Sequence, residues 1–221
     1  MIEDNVKKIL CEIAEGNNFG EKITLVAATK TMPVNVINRA INAGVKVVAE
    51  NRVQEFREKT ALISGARQDF IGHLQKNKVK YIVGKVSLIH SVDCIDLAKE
   101  ISERAQKLGL SQDVLIEINI GGELSKSGFE KSEAINAVKT ISSLPHIQVC
   151  GLMAMLPRSD DEMFLTELCL QMREIYDKIR KENNNPMFKY LSMGMSADYK
   201  IAIRCGSNMI RLGTALFGQR A

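Results

Sequence analysis

Lys30 closes an apolar run, Ile23-Thr24-Leu25-Val26-Ala27-Ala28-Thr29, and that placement suits it to covalent chemistry. A lysine carried from a hydrophobic strand into a sheltered mouth is desolvated, and desolvation favours the neutral amine. A neutral amine attacks carbonyl carbon and forms a Schiff base. The plainer role for such a residue is a solvated lysine at a strand end. Two turns far along the chain complement it. Leu191-Ser192-Met193-Gly194-Met195-Ser196 and Arg211-Leu212-Gly213-Thr214-Ala215-Leu216-Phe217-Gly218 are rich in small and hydroxyl residues. Such turns let backbone N–H groups and a side-chain O–H surround a phosphate at a helix start. Gly and Ser are also ordinary loop residues, so the meaning lies in the combination with Lys30. Together they describe an aldehyde-binding amine facing a phosphate cradle; Met195, between Gly194 and Ser196, is either a core filler like Met153, Met155 and Met193 or a contact for what the cradle holds.

A scaffold must bring residue 30 to residues 196 and 214, and the pattern of the chain supplies one. Eight short runs read as strands: Ile23 to Ala28, Val45 to Val48, Asp69 to Ile71, Leu88 to Val92, Val114 to Ile118, Ile147 to Leu152, Lys189 to Leu191 and Met209 to Leu212. Helical patterns separate them. Ile2, Val6, Ile9, Leu10 and Ile13 share one face of an opening helix. Pro33 suits a first helical turn, and Gly44 a C-terminal cap. Asp93 is expected to cap a helix closed by Gly109, and Ser159 to Glu162 reads as a capping box. The longest helix carries Phe164, Leu168, Met172, Ile175 and Ile179 as its stripe and ends at Asn183 to Pro186. Alternating βαβα with strands apolar on both faces means a parallel sheet covered by helices. Eight repeats favour a closed (β/α)8 barrel over an open doubly wound sheet, and a barrel does its chemistry at the C-terminal ends of its strands. The class is α/β, one barrel domain over residues 1–221.

Composition narrows the function classes. The chain has 221 residues, 45% hydrophobic and 25% charged, with formal net charge +4. Charges of both signs are interspersed, which argues against nucleic acid. No apolar run approaches the roughly 18 residues of a membrane span, and the start lacks a secretory pattern. Five cysteines without a C-x-x-C pair argue for a reduced, cytoplasmic protein without a zinc knuckle. His73, His90 and His146 have no metal-ligand spacing; His73 and His90 are either ordinary structural histidines or cofactor-side groups. Lys76, Lys78, Lys80 and Lys85 form a basic patch that reads as a solvated face, or as a contact for a phosphorylated ligand or acidic partner. Gly121 to Gly128 is not a nucleotide loop, because Lys126 precedes its last glycine.

Further segments carry a resemblance. Thr29-Lys30, Ala49-Glu50-Asn51-Arg52-Val53-Gln54-Glu55, Phe70-Ile71-Gly72-His73-Leu74-Gln75-Lys76-Asn77-Lys78, Ser192 to Asp198 and Arg211 to Thr214 resemble the pyridoxal phosphate homeostasis proteins, in order and over nearly the whole chain. The departures are Ala49, where the family usually has Gly, and Gly121-Gly122-Glu123-Leu124. The resemblance implies a fold type III barrel of the alanine-racemase kind without its second β-domain. It implies pyridoxal phosphate bound covalently on Lys30 as a Schiff base, with Ser196, Gly213 and Thr214 at the phosphate, Arg211 at the pyridine nitrogen and Asn51 beside the cofactor. Arg211 offers donors only, so the ring nitrogen stays unprotonated and is a poorer electron sink. The implied function is to bind, buffer and deliver pyridoxal phosphate, with cofactor-dependent apo-enzymes as recipients and a monomer or weak homodimer as the working form. The alternative is an amino-acid racemase. Racemisation commonly needs acid/base groups on both faces of the carbanion. None of Tyr81, Tyr176, Tyr190 and Tyr199 lies on a segment resembling the one that supplies a racemase's tyrosine base.

Overall fold

In the computed structural model, which describes residues 2–123, 126–183 and 185–218, the eight runs become parallel strands closed into a barrel in sequence order. They are β1 (Thr24–Ala28), β2 (Val47–Glu50), β3 (Arg67–Phe70), β4 (Leu88–Val92), β5 (Gln112–Ile118), β6 (Ile147–Ala154), β7 (Tyr190–Ser192) and β8 (Met209–Leu212). The seam closes where β1 pairs with β8, Ala27 opposite Leu212, while Ala28 on the other side lies opposite Ala49 of β2. Strand alternation separates two faces. Val26, Val47, Ala49, Leu88, Leu115 and Met209 pack together inside the barrel. Their neighbours Ala27, Val48, Ile210 and Leu212 pack outward against helices. On β6 the alternation slips. Val114 is opposite Val149 but Leu115 is opposite Gly151, a bulge that turns both Cys150 and Met153 inward. Gly151 permits it: at φ 149° a Cβ there would stand 1.9 Å from the Tyr190 carbonyl oxygen of β7.

Among the described residues, eight α-helices wrap the outside: α1 (Ile2–Glu12), α2 (Val34–Asn42), α3 (Val53–Lys59), α4 (Ile95–Lys107), α5 (Ala134–Ser142), α6 (Glu162–Asn183), α7 (Tyr199–Arg204) and α8 (Thr214–Phe217). Val6 and Ile9 of α1 are buried with Ile37 of α2 and Leu216 of α8, across the seam. The stripe of α6 buries Leu168, Met172 and Ile179, and its Tyr176 stacks on Phe188 with ring centroids 5.4 Å apart. Each such side chain contributes about 1.5–3 kcal/mol.

The helix termini bring corrections. Pro33 is the residue before α2, not its first. Asp93 does not cap α4: Cys94 precedes that helix without a side-chain cap, and Asp93 turns instead to His73, 2.9 Å away. The expected box from Ser159 to Glu162 is replaced by Asp161, whose Oδ1 accepts the Phe164 N–H at 3.0 Å, while Ser159 Oγ accepts the Asp161 N–H. The carboxylate immediately before the helix has the shorter reach to the amide of its third residue. Between β3 and β4 the chain makes a 3-10 turn, Lys76–Tyr81, rather than an α-helix.

Candidate functional site

Period two along each strand decides which side chains reach the mouth. From the inward residues Val26, Ala49 and Met209, steps of two lead to Ala28 and Lys30, to Asn51, and to Arg211 and Gly213. Because β1 lies between β2 and β8, these residues share one sector of the rim.

Arg211 is 5% exposed and forms the floor of that sector. Its guanidinium donates to the Ser192 carbonyl at 3.0 Å, to Ser192 Oγ at 2.7 Å and to the Ala154 carbonyl at 2.9 Å. Three bonds from β8 to β7 and β6 fix its plane. Burial lowers its pKa to about 10, with Glu117 and Asp198 opposing the fall, so it stays charged at neutral pH. Ser196, leaving β7, accepts the N–H groups of Gly213 at 3.2 Å and Ala215 at 3.1 Å. Its Oγ thereby joins the β7 exit to the start of α8, where Thr214 is the first, exposed residue. Met195 is half-buried beside it, its N–H on Asp198 Oδ1 at 2.5 Å. Asn51 is held by close backbone approach: a Cβ on Gly72 would stand 1.9 Å from the Asn51 carbonyl oxygen. Its own Oδ1 is buried with no hydrogen-bond partner.

The sequence reading missed Glu117. It follows Leu115 by one inward step on β5 and is 3% exposed. Burial raises its pKa to about 7, Asp93 adds to the rise, and Arg211 and His73 oppose it. The signal was a lone carboxylate in Val114-Leu115-Ile116-Glu117-Ile118. Asp69 and Arg67, on the inward face of the polar strand β3, were missed as well.

The two histidines part company. His73, exposed at the mouth, has Nδ1 2.9 Å from Asp93 and 3.4 Å from Ser127 Oγ. His90 lies within β4, fully buried, its Nε2 3.1 Å from Asp69 Oδ2, which Arg67 also reaches at 2.8 Å. Burial lowers the His90 pKa. It is a core histidine below the rim, paired through Nε2 while its Nδ1 is buried without a hydrogen-bond partner. Lys76, Lys78, Lys80 and Lys85 are all exposed, as a solvated face requires. In the Gly121 to Gly128 segment, Leu124 and Ser125 lie outside the described residues. Among the described residues no group of three or more His, Cys, Asp or Glu could hold a metal ion, and no helix is long and apolar enough to cross a membrane.

The family model described as the alanine racemase N-terminal domain matches residues 14–221. A protein of Aquifex aeolicus named pyridoxal phosphate homeostasis protein is 41% identical, the match covering 98% of this chain and 94% of the relative. The Escherichia coli (strain K12) protein of the same name is 34% identical over 90% of this chain and 87% of its own. The solved structure of PipY of Synechococcus elongatus with PLP bound is 28% identical, with a TM-score of 0.87 covering 99% of this chain and 100% of that one. An alanine racemase of Clostridium difficile shares the fold at 18% identity and a TM-score of 0.77, covering 98% of this chain and 58% of that one. The chain belongs to the pyridoxal phosphate homeostasis protein family, built on the alanine racemase N-terminal domain.

Proposed function

We propose that this protein binds pyridoxal phosphate covalently through Lys30 and holds it for delivery to apo-enzymes rather than transforming amino acids with it. The observation that carries the reading is the set of polar groups around one sector of the rim. Lys30 supplies an amine, Ser196 a hydroxyl whose oxygen already takes two amides and whose hydrogen remains to donate, and Arg211 a buried guanidinium with N–H donors beyond its three bonds. Asn51 adds a buried, unpartnered Oδ1. An aldehyde, a phosphate and a ring nitrogen that accepts a hydrogen bond find matching groups there, so the residues fit the cofactor. Bound there, the cofactor supplies an aldehyde that captures amines.

What these residues do follows from their chemistry. Lys30 forms the covalent bond to the aldehyde. Ser196, Gly213 and Thr214 hold the phosphate with Met195 alongside, and Asn51 lies beside the ring. Arg211 donates to the ring nitrogen and, as a cation at pH 7, keeps it from carrying a proton of its own. That restrains electron withdrawal into the ring and suits a carrier. The four tyrosines are engaged elsewhere: Tyr81 lies under Arg57, Tyr176 on Phe188 and Tyr190 beside Arg67, while Tyr199, next to the Met195 turn, donates its hydroxyl to Glu12 at 2.7 Å. Three of the five free cysteines are buried, which suits a reducing cytoplasm.

The purified protein should be yellow after incubation with pyridoxal phosphate. Borohydride should fix a phosphopyridoxyl mass on the peptide containing Lys30. That mass on Lys76 or Lys78 instead would overturn the assignment.

A further inference from the structure

The peptides on either side of Lys30 are gripped by a cluster of charged side chains that touch neither the phosphate turns nor Arg211. Thr29 is fully buried, and its Oγ1 donates to Glu50 Oε1 at 2.7 Å. The Lys59 ammonium, at the end of α3, donates to the Thr29 carbonyl at 3.1 Å, to Glu50 Oε1 at 2.9 Å and to Glu55 Oε2 at 2.7 Å. Glu55 Oε2 in turn accepts the Thr31 N–H at 2.7 Å. The carbonyl before Lys30 and the amide after it are thus tied to one ammonium–carboxylate pair. Thr31 adopts φ 65°, a left-handed conformation that a β-branched residue rarely takes and that persists only where the surroundings impose it. The Met32 N–H closes a turn on the Thr29 carbonyl at 3.0 Å with Thr31 in its third position, and Glu55 holds the Thr31 amide in that turn. The cluster is sheltered: the side chains of Lys59, Glu50 and Glu55 are 12%, 4% and 17% exposed. It is supplied by α3 and by the last residue of β2, whose next residue is Asn51.

We propose that Lys59 and Glu55, with Glu50, form a positioning clamp that sets the backbone around Lys30 and thereby the direction in which its amine is presented to an aldehyde. Neither Lys59 nor Glu55 contacts the cofactor in this reading; both act through the peptide bonds of residue 30, and the inference rests on Lys30 as the attachment point. Two further features fit. Both clamp residues come from one short helix, four positions apart, so that α3 carries the pair as a preformed unit. Lys59 also pairs with Oε1 of Glu50, a carboxylate that burial makes costly and whose Oε2 has no hydrogen-bond partner. A surface ion pair placed for general stability has no need to reach both neighbours of the one lysine at the strand end.

The test measures Lys30 chemistry separately from anchoring. Cofactor-free wild type and the variants Lys59→Met, Lys59→Arg, Glu55→Ala and Glu55→Gln are treated with unphosphorylated pyridoxal and cyanoborohydride. Labelling of Lys30 is followed by peptide mass spectrometry against exposed Lys107 of α4 as internal reference. Affinity for pyridoxine phosphate, which has no aldehyde, is measured in parallel. Misplacement of a reacting group by about 1 Å can cost on the order of 100-fold, so Lys59→Met and Glu55→Ala are expected to slow Lys30 labelling roughly tenfold or more. Pyridoxine phosphate affinity should change less than about twofold. Lys59→Arg and Glu55→Gln should recover much of the rate, because Arg still bridges carboxylates and Gln still accepts the Thr31 amide. Unchanged Lys30 labelling in a folded Lys59→Met or Glu55→Ala protein would overturn the clamp. So would equal losses of labelling and of pyridoxine phosphate binding, or no recovery in either conservative variant. Should Lys59→Met fail to fold, Glu55→Ala and Glu55→Gln decide the matter alone. Wild type labelled with pyridoxal phosphate at another lysine would instead refute the attachment at Lys30, a separate result.

Discussion

Glu117→Gln should make the protein more stable, and by an amount that grows with pH. A carboxyl that titrates at about 7 in the folded chain and near 4.5 when unfolded keeps its proton longer in the folded state. Between those two values the native protein binds more protons than the unfolded chain, so stability falls as pH rises. The penalty is absent well below pH 4.5 and complete above about pH 8. Its size is the distance from 4.5 to about 7 at about 1.4 kcal/mol per pH unit, or about 3 kcal/mol. The cause is burial, since Glu117 is 3% exposed, and Asp93 adds repulsion that Arg211 and His73 partly offset. Gln keeps the shape and carries no charge at any pH. Urea unfolding of cofactor-free wild type and variant at pH 5 and pH 8 checks this, because groups shared by both proteins cancel in the difference. The variant's advantage should widen by about 2–3 kcal/mol between the two pH values, roughly 1 M in urea midpoint for a slope of about 2–3 kcal/mol per molar. A difference that does not change with pH would mean that Glu117 titrates as a solvated carboxylate, and the account of the barrel interior would fail.

Other expectations follow from the same geometry. Thr214→Ala should weaken pyridoxal phosphate roughly tenfold or more while leaving unphosphorylated pyridoxal little changed, since a lost charge-assisted hydrogen bond is worth about 1.5–3 kcal/mol. Ser196→Ala should do more, because its Oγ also accepts the amides of Gly213 and Ala215; equal loss of both ligands in titrations would count against the phosphate role. Gly72→Ala places a Cβ 1.9 Å from the Asn51 carbonyl oxygen, so it should destabilise by about 3 kcal/mol or more and bleach the bound cofactor, and a melting temperature equal to wild type would refute the close approach. Holo-protein incubated with L-alanine in deuterated water should form no D-alanine at rates typical of enzymes, about 1 s⁻¹ or above; turnover at that rate would overturn the carrier reading.

The barrel was legible because its strands announce themselves. Each of the eight runs is short and mostly apolar, and each recurs as a strand within two or three residues of its expected bounds. Helix α3 escaped notice for a physical reason. Seven residues with Val53 and Phe56 as their only buried members, set among Gln54, Glu55, Arg57, Glu58 and Lys59, are too short and too charged to show an apolar stripe. Asp93 misled because a local rule met a distant competitor. Sequence places a carboxylate ahead of a helix, but only the fold brings His73 within 2.9 Å of it.

The site divides along the same line. Lys30, Ser196 and Thr214 lie at strand ends, where an apolar run stops and a turn begins, so their positions are written in a change of composition. Glu117 lies inside an apolar strand and Asp69 and Arg67 in a polar one, and such charges acquire meaning only once one face of the strand is known to look into the barrel. Parity supplies that knowledge for β1, β2 and β8, where counting by twos from Val26, Ala49 and Met209 reaches Lys30, Asn51 and Arg211. It fails on β6, because the bulge at Gly151 shifts the count by one. Inward polar residues of a parallel barrel are therefore readable where register is regular. A barrel with few aromatics, such as this one at 5%, fills its lumen partly with paired charges instead. Asp69 with His90 and Arg67, and Arg211 with the β6 and β7 carbonyls, hold the floor rigid. Above that floor, where the strands end, lie Lys30, Asn51 and Ser196.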